Sequence, residues 1–184
     1  SSPEQKPFLD HLEDFRAMAI RCAIALLAGM VIAVPLIPRI LAALKKPLAA
    51  IVDDPERFLQ TIEVAGGFTA VMQMAFWCGL LSISCILVYF CGAFEVRAHT
   101  RREQQTVLRG SGFAVGLFIF GVFLAYRFTL PFALSAMFAV NTWLGIQAQW
   151  TLTSYVTFTT QLLIAFGLAF ELPESMRRAA LADG

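Results

Sequence analysis

Phe94-Glu95-Val96-Arg97-Ala98-His99-Thr100-Arg101-Arg102-Glu103 is the one strongly charged run between two segments too apolar to sit in water. Upstream, residues 68–93 are interrupted only by small or weakly polar side chains, and downstream residues 110–130 are equally apolar. Each is long enough to cross a bilayer, which takes about 20 apolar residues in helical form. A basic connection between two spans stays in the cytoplasm, because Lys and Arg near span ends resist translocation. The two segments therefore read as an antiparallel helical pair whose cytoplasmic ends meet at a loop over 94–110.

Composition supports this reading. Of 184 residues, 58% are hydrophobic and 15% charged, whereas a soluble domain carries about a quarter charged residues. The chain is predicted to be an integral membrane protein. A formal charge of +1 from 14 basic and 13 acidic residues leaves no global basic surface for nucleic acid, and attention falls on where the charges sit. Cys22, Cys78, Cys85 and Cys91 all lie in apolar segments without C-x-x-C spacing, so they read as packing residues rather than a metal or redox pair. The polar, acidic lead and the lack of a small-residue cleavage site predict no removable signal peptide.

In order along the chain, 1–6 reads as a disordered tail. Phe8, Leu12 and Phe15 then recur at helical spacing and predict a short amphipathic segment at the headgroup boundary. A first span follows over 17–36, with Arg21 close enough to its start to snorkel back to the cytoplasmic headgroups. Pro35 and Pro38 mark where that helix kinks or stops. The far-side loop 37–67 has mixed charge and an Asp54-Pro55 turn, which predict a folded cap with two short helices. Spans over 68–93, 111–130 and 153–172 complete four crossings, with a second far-side loop over 131–152 beginning where Pro131 breaks the third. The second span carries small residues suited to close helix approach, and Gly112 and Gly116 form a G-x-x-x-G pair in the third. Trp143, Trp150 and Tyr155 read as an interfacial aromatic belt. After Pro173 the run Glu174-Ser175-Met176-Arg177-Arg178 reads as a cytoplasmic tail, so both termini lie inside. The fold class is all-α, a polytopic membrane protein with four transmembrane helices in a single domain over 1–184.

Few residues suggest chemistry. His11 and His99 belong to no H-E-x-x-H or nucleophile motif, and no Gly-rich loop carries a Walker lysine, so neither an enzyme nor a cofactor or metal is predicted. Glu171 stands inside an apolar segment, where a charge is costly. Three readings stay open for it: a wet surface acid partnered by Arg177 or Arg178, a protonated acid bonded to a neighbouring helix, or the lining of a polar cavity. Asp14 and Glu103 are acids at cytoplasmic span ends. If the first and third spans pack together, the two converge into a pocket for one or two arginines; otherwise each pairs with a nearby arginine as an ordinary surface ion pair.

The arrangement resembles the TatC family, the multispanning subunits of the twin-arginine protein translocase. Phe8-Leu9-Asp10-His11-Leu12-Glu13-Asp14-Phe15-Arg16 is similar to the family's F-x-x-H-L-E-E-L-R opening. Tyr89, Ala93-Phe94 and Glu103 fall at its Y-x-x-x-A-F spacing with an acid nine positions on, and Gly121, Ala125-Tyr126 and Pro131 continue the register. Phe166-Gly167-Leu168-Ala169-Phe170-Glu171-Leu172-Pro173 is similar to its F-G-x-x-F-E-x-P. The resemblance implies protein transport driven by the proton-motive force in the cytoplasmic (inner) membrane or an organellar equivalent. It implies that Asp14, Arg16, Phe94 and Glu103 bind the twin-arginine signal peptides of folded cargo and that Glu171 faces an intramembrane groove. Single-span Tat subunits and membrane lipid are the further partners it implies. The different-class alternative is a TatC-like structural subunit without transport activity. The chain departs from the family pattern in having Asp at 14 where Glu is usual, Arg97 where proline follows the Ala-Phe pair, and four spans where the family has six. The charged run 174–178, standing where further apolar sequence would continue, reads as divergence rather than a clean cut.

Overall fold

The computed structural model describes the backbone over residues 5–96 and 101–182, with side chains except at 5–8, 10–11, 87–96, 101–108, 111, 175, 178–179 and 181–182. Helix α1, Gln5–Ala33, runs into a 3-10 turn, Val34–Leu36, and then into α2, Ile37–Ala49. Pro35 and Pro38 stand in the first turns of the 3-10 and α2 segments, where the missing N–H goes unused. They re-aim the chain without ending it. Asp54 caps the short α3, Pro55–Phe58, by accepting from the Arg57 N–H at 3.3 Å, and β1, Leu59–Gln60, follows. Then come α4, Gly66–Val96, α5, Arg101–Leu124, a π turn over Ala125–Thr129, α6, Leu130–Trp143, β2, Trp150–Thr151, and α7, Leu152–Ala182. Among the described residues four helical stretches are long and apolar enough to cross a membrane: Leu12–Ala49, Gly66–Ile86, Gly112–Trp143 and Leu152–Glu174. The chain is an all-α, four-span membrane protein.

α1 packs on α4, α4 on both α5 and α7, and α5 on α7. The buried core gathers Ile37, Leu44 and Leu48 of α2, Met74 near the start of α4, Leu130 and Leu134 of α6, and Tyr155 and Val156 at the start of α7. It therefore lies at one end of the bundle, beneath the cap. The two far-side connections are tied there by parallel pairing of β1 with β2, Leu59 to Trp150 and Gln60 to Thr151. By the alternation of the helices, the start of α1, the end of α4, the start of α5 and the end of α7 meet at the opposite, near end.

Five features differ from the expectations of the sequence. The loop expected over 94–110 is largely helix, because α4 reaches Val96 and α5 starts at Arg101. Pro131 does not break the third helix and start a loop at 131; helix continues to Trp143. The π turn shifts the hydrogen-bond register, with Leu130 N–H donating to the Ala125 carbonyl, and carries the helix past a residue that cannot donate. Pro173 likewise lies inside α7 rather than ending it at 172, since a membrane helix tolerates an internal proline where neighbouring groups or a local adjustment re-satisfy the freed backbone carbonyl. Tyr155 is 2% exposed and Trp150 half-buried, its ring edge-on to Phe58 at 5.1 Å. They build the cap's core, and of the three supposed belt residues only Trp143 is exposed. The G-x-x-x-G pair is not a packing face within this chain either, because Gly112 and Gly116 have open space where a Cβ would stand. The close approaches fall instead at Gly29 against Gly79 for α1 and α4, and at Gly121 and Gly167 between α5 and α7.

Candidate functional site

Asp14 and Arg16 lie on α1 and are exposed, as is every described side chain from 12 to 20. That stretch stands clear of the bundle because α1 meets α4 further along, at Gly29 and Leu26 against Gly79. Neither Asp14 nor Arg16 forms an ion pair with a described residue. Phe94 belongs to the last turn of α4 and Glu103 to the first turn of α5; their side chains lie outside the described residues, as does that of His11, and His99 lies outside altogether. Helix parity brings Asp14, Phe94 and Glu103 to one end of the bundle. The described contacts of α1 run to α4, with none of comparable extent to α5. The first and third spans are thus second neighbours with α4 between them.

Glu171 sits on α7 near the same end, half-buried, with its Oε1 shielded from solvent. It is close enough to Cys85 of α4 to interact with it electrostatically. Arg177, one of the two arginines offered to Glu171 by the sequence, instead has its Nε 3.6 Å from Oε2 of Glu174. Glu174 was not singled out in the sequence, yet it is 7% exposed. The signal that could have found it is the E-x-x-R spacing of 174–177, which stacks the two side chains on one helix face.

Polar contacts inside the bundle are also specific. Gln73 Nε2 of α4 donates to Thr157 Oγ1 of α7, and that hydroxyl donates to the Thr153 carbonyl at 2.8 Å. A side-chain amide in an apolar span is satisfied by a neighbouring helix, and here it ties the second span to the fourth. No group of His, Cys, Asp and Glu among the described residues could hold a metal ion. What the near end offers is exposed carboxylate beside an apolar helix, chemistry suited to gripping a guanidinium-bearing peptide.

Residues 10–181 match the family described as Sec-independent protein translocase protein (TatC). The chain is 31% identical over 172 residues to the Sec-independent protein translocase protein TatC of Deinococcus radiodurans, covering 91% of this chain and 62% of that one. It is 33% identical over 118 residues to the TatC protein of Listeria innocua, covering 64% of this chain and 48% of the relative. The chain thus spans about half to two thirds of the length of these relatives. Its fold is similar to a crystal structure of the twin arginine translocase receptor TatC, with a TM-score of 0.74 and 26% identity over 90% of this chain and 72% of the other.

Proposed function

The chain belongs to the TatC family of Sec-independent protein translocase proteins, and on that premise we propose that it is the signal-peptide receptor subunit of a twin-arginine translocase. In this reading the carboxylates of Asp14 and Glu103 bind the paired guanidinium groups of a cargo's signal peptide, with Arg16 and Phe94 on the same surface. The apolar continuation of the peptide lies along the bundle, toward the groove that Glu171 faces. Single-span Tat subunits assemble with it, and the proton-motive force drives the passage of folded cargo. Both termini lie in the cytoplasm.

The observation that carries the reading is the family match over 10–181, which takes in both acids and Glu171. Asp14 supports it, being exposed and without an ion-pair partner among the described residues. A carboxylate already locked to a resident arginine would have to give up one guanidinium to take another. The second-neighbour placement of α1 and α5 fits a ligand with two guanidinium groups better than one, since the helices bearing the two acids are both packed on α4.

The test is a binding measurement on the full chain in detergent, with a fluorescent peptide carrying paired arginines and its paired-lysine counterpart. Lysine keeps the charge but loses the bidentate fork. Asp14→Lys and Glu103→Lys should each weaken the arginine peptide by about tenfold or more, as expected for losing a charge-assisted contact. Arginine-peptide binding left unchanged in the double reversal would sink the receptor reading.

A further inference from the structure

The far-side end carries cations that the receptor reading does not use. On α2, Arg39, Ala43 and Lys46 lie at i, i+4 and i+7 and so share one stripe. Arg39 and Lys46 are exposed, opposite the apolar face that buries Ile37, Leu44 and Leu48. The stripe is docked at its centre: the hydroxyl of Tyr126, in the π turn, donates to the Ala43 carbonyl. That carbonyl is available because Pro47, four residues on, has no N–H to give it. Arg127 is the next residue after Tyr126 in the π turn, so its backbone is one residue from the side chain docked on α2. It is exposed, with its guanidinium 5.8 Å from the centre of the Phe128 ring.

Three cations from two elements thus belong to the turns that meet at one fixed point, and none is in an ion pair among the described residues. α2 itself carries three basic residues and no acid. Lys and Arg ordinarily favour the cytoplasmic ends of spans, so an unpaired group at the opposite end calls for a counter-charge there. Phe128 and Phe132, one turn apart beside Arg127, are exposed as well, at 62% and 76%. Cations next to exposed aromatic rings are the signature of a headgroup boundary rather than of a surface facing open water.

We propose that Arg39, Lys46 and Arg127 form a binding site for the phosphate of an anionic phospholipid in the far leaflet, whose acyl chains lie against Phe128 and Phe132. Lipid, rather than a free anion, is the occupant because the aromatic pair adjoins the charges and belongs in hydrocarbon. The site anchors α2, and through Tyr126 and the Tyr155–Leu44 bond of 2.5 Å it anchors the cap above the bundle.

Native mass spectrometry of the full chain, titrated with phosphatidylglycerol or phosphatidylcholine, tests the site. The chain should bind the anionic lipid at least about fivefold more tightly, a preference that weakens with added salt, and millimolar inorganic phosphate should not displace it. R39Q/K46Q/R127Q should abolish the preference, while R39K/R127K should keep most of it. Because the triple variant can fail to fold, hydrogen exchange on the unmodified chain supplies an independent reading. Nanodiscs of phosphatidylglycerol should protect amides of 37–49 more than nanodiscs of phosphatidylcholine. No lipid preference, equal protection in the two nanodiscs, or displacement by inorganic phosphate would overturn the proposal.

Discussion

At Gly167 a single missing methyl decides how closely two spans approach. A Cβ there would lie 2.7 Å from Cε2 of Phe118 and 2.9 Å from Cγ2 of Val122, and Phe118 is 1% exposed with no room to retreat. Gly167→Ala should therefore cost about 1–3 kcal/mol, the usual range for overpacking. Gly112→Ala, where nothing lies within 4 Å, should change stability by no more than about 0.5 kcal/mol. Unfolding midpoints of the two variants in one detergent make the comparison, and similar losses at both positions would contradict the packing described. The same contrast marks what can be read from residues alone. The sequence shows that Gly is present, but a G-x-x-x-G pair looks identical whether it faces a helix or lipid. Asp14 is a different case, because its exposure follows from its place ahead of the first apolar run. Glu174 went unseen because burial at a helix end depends on neighbours the sequence does not order.

Among the elements, the prolines carry the lesson. Pro35 and Pro38 act as their sequence position suggests, whereas Pro131 and Pro173 leave their helices running. The difference is who takes over the freed backbone group, and that is a tertiary fact. Pro47 shows it most directly: its missing N–H frees the Ala43 carbonyl, and the Tyr126 hydroxyl reaches it from across the bundle. Restoring the N–H should make the tyrosine hydroxyl redundant. Tyr126→Phe alone should destabilise the chain by about 0.5–1.5 kcal/mol, the usual net contribution of one hydrogen bond. In a Pro47→Ala background the same change should cost less than half as much, because the backbone N–H regained at that position can then donate to the Ala43 carbonyl. A double-mutant cycle on thermal midpoints reads the coupling, and strict additivity would show that the bond and the proline are unrelated. Trp150 and Tyr155 were misplaced by the sequence for a related reason. An aromatic residue near a span end fits a lipid belt and a cap core equally well until the pairing of β1 with β2 draws Trp150 inward.

For the whole molecule, four crossings carry the large buried cluster of α2, α6 and the start of α7 at the far end, beneath the cap. The count of spans and the folded cap were legible, since both depend on apolar run length and turn residues. The order of neighbours was not, and it is this order that sets α4 between the helices bearing Asp14 and Glu103. The proposed orientation rests on charge. By chain position Lys6, Arg16, Arg97, Arg101, Arg102, Arg109, Arg177 and Arg178 belong to the near end, against Arg39, Lys45, Lys46, Arg57 and Arg127 at the far end. That eight-to-five balance favours the near end as the cytoplasmic one by the positive-inside rule. The far-side cations are a smaller set, and Arg57 is already paired with Asp54 at 3.3 Å. With the native cysteines replaced by alanine, Asp53→Cys should react with a membrane-impermeant maleimide added outside intact cells. Asp14→Cys should react only after the membrane is opened, although both side chains are exposed in the folded chain. Labelling of both from the same side would break the parity of the bundle, and with it the placement of the two acids where a cytosolic signal peptide could reach them.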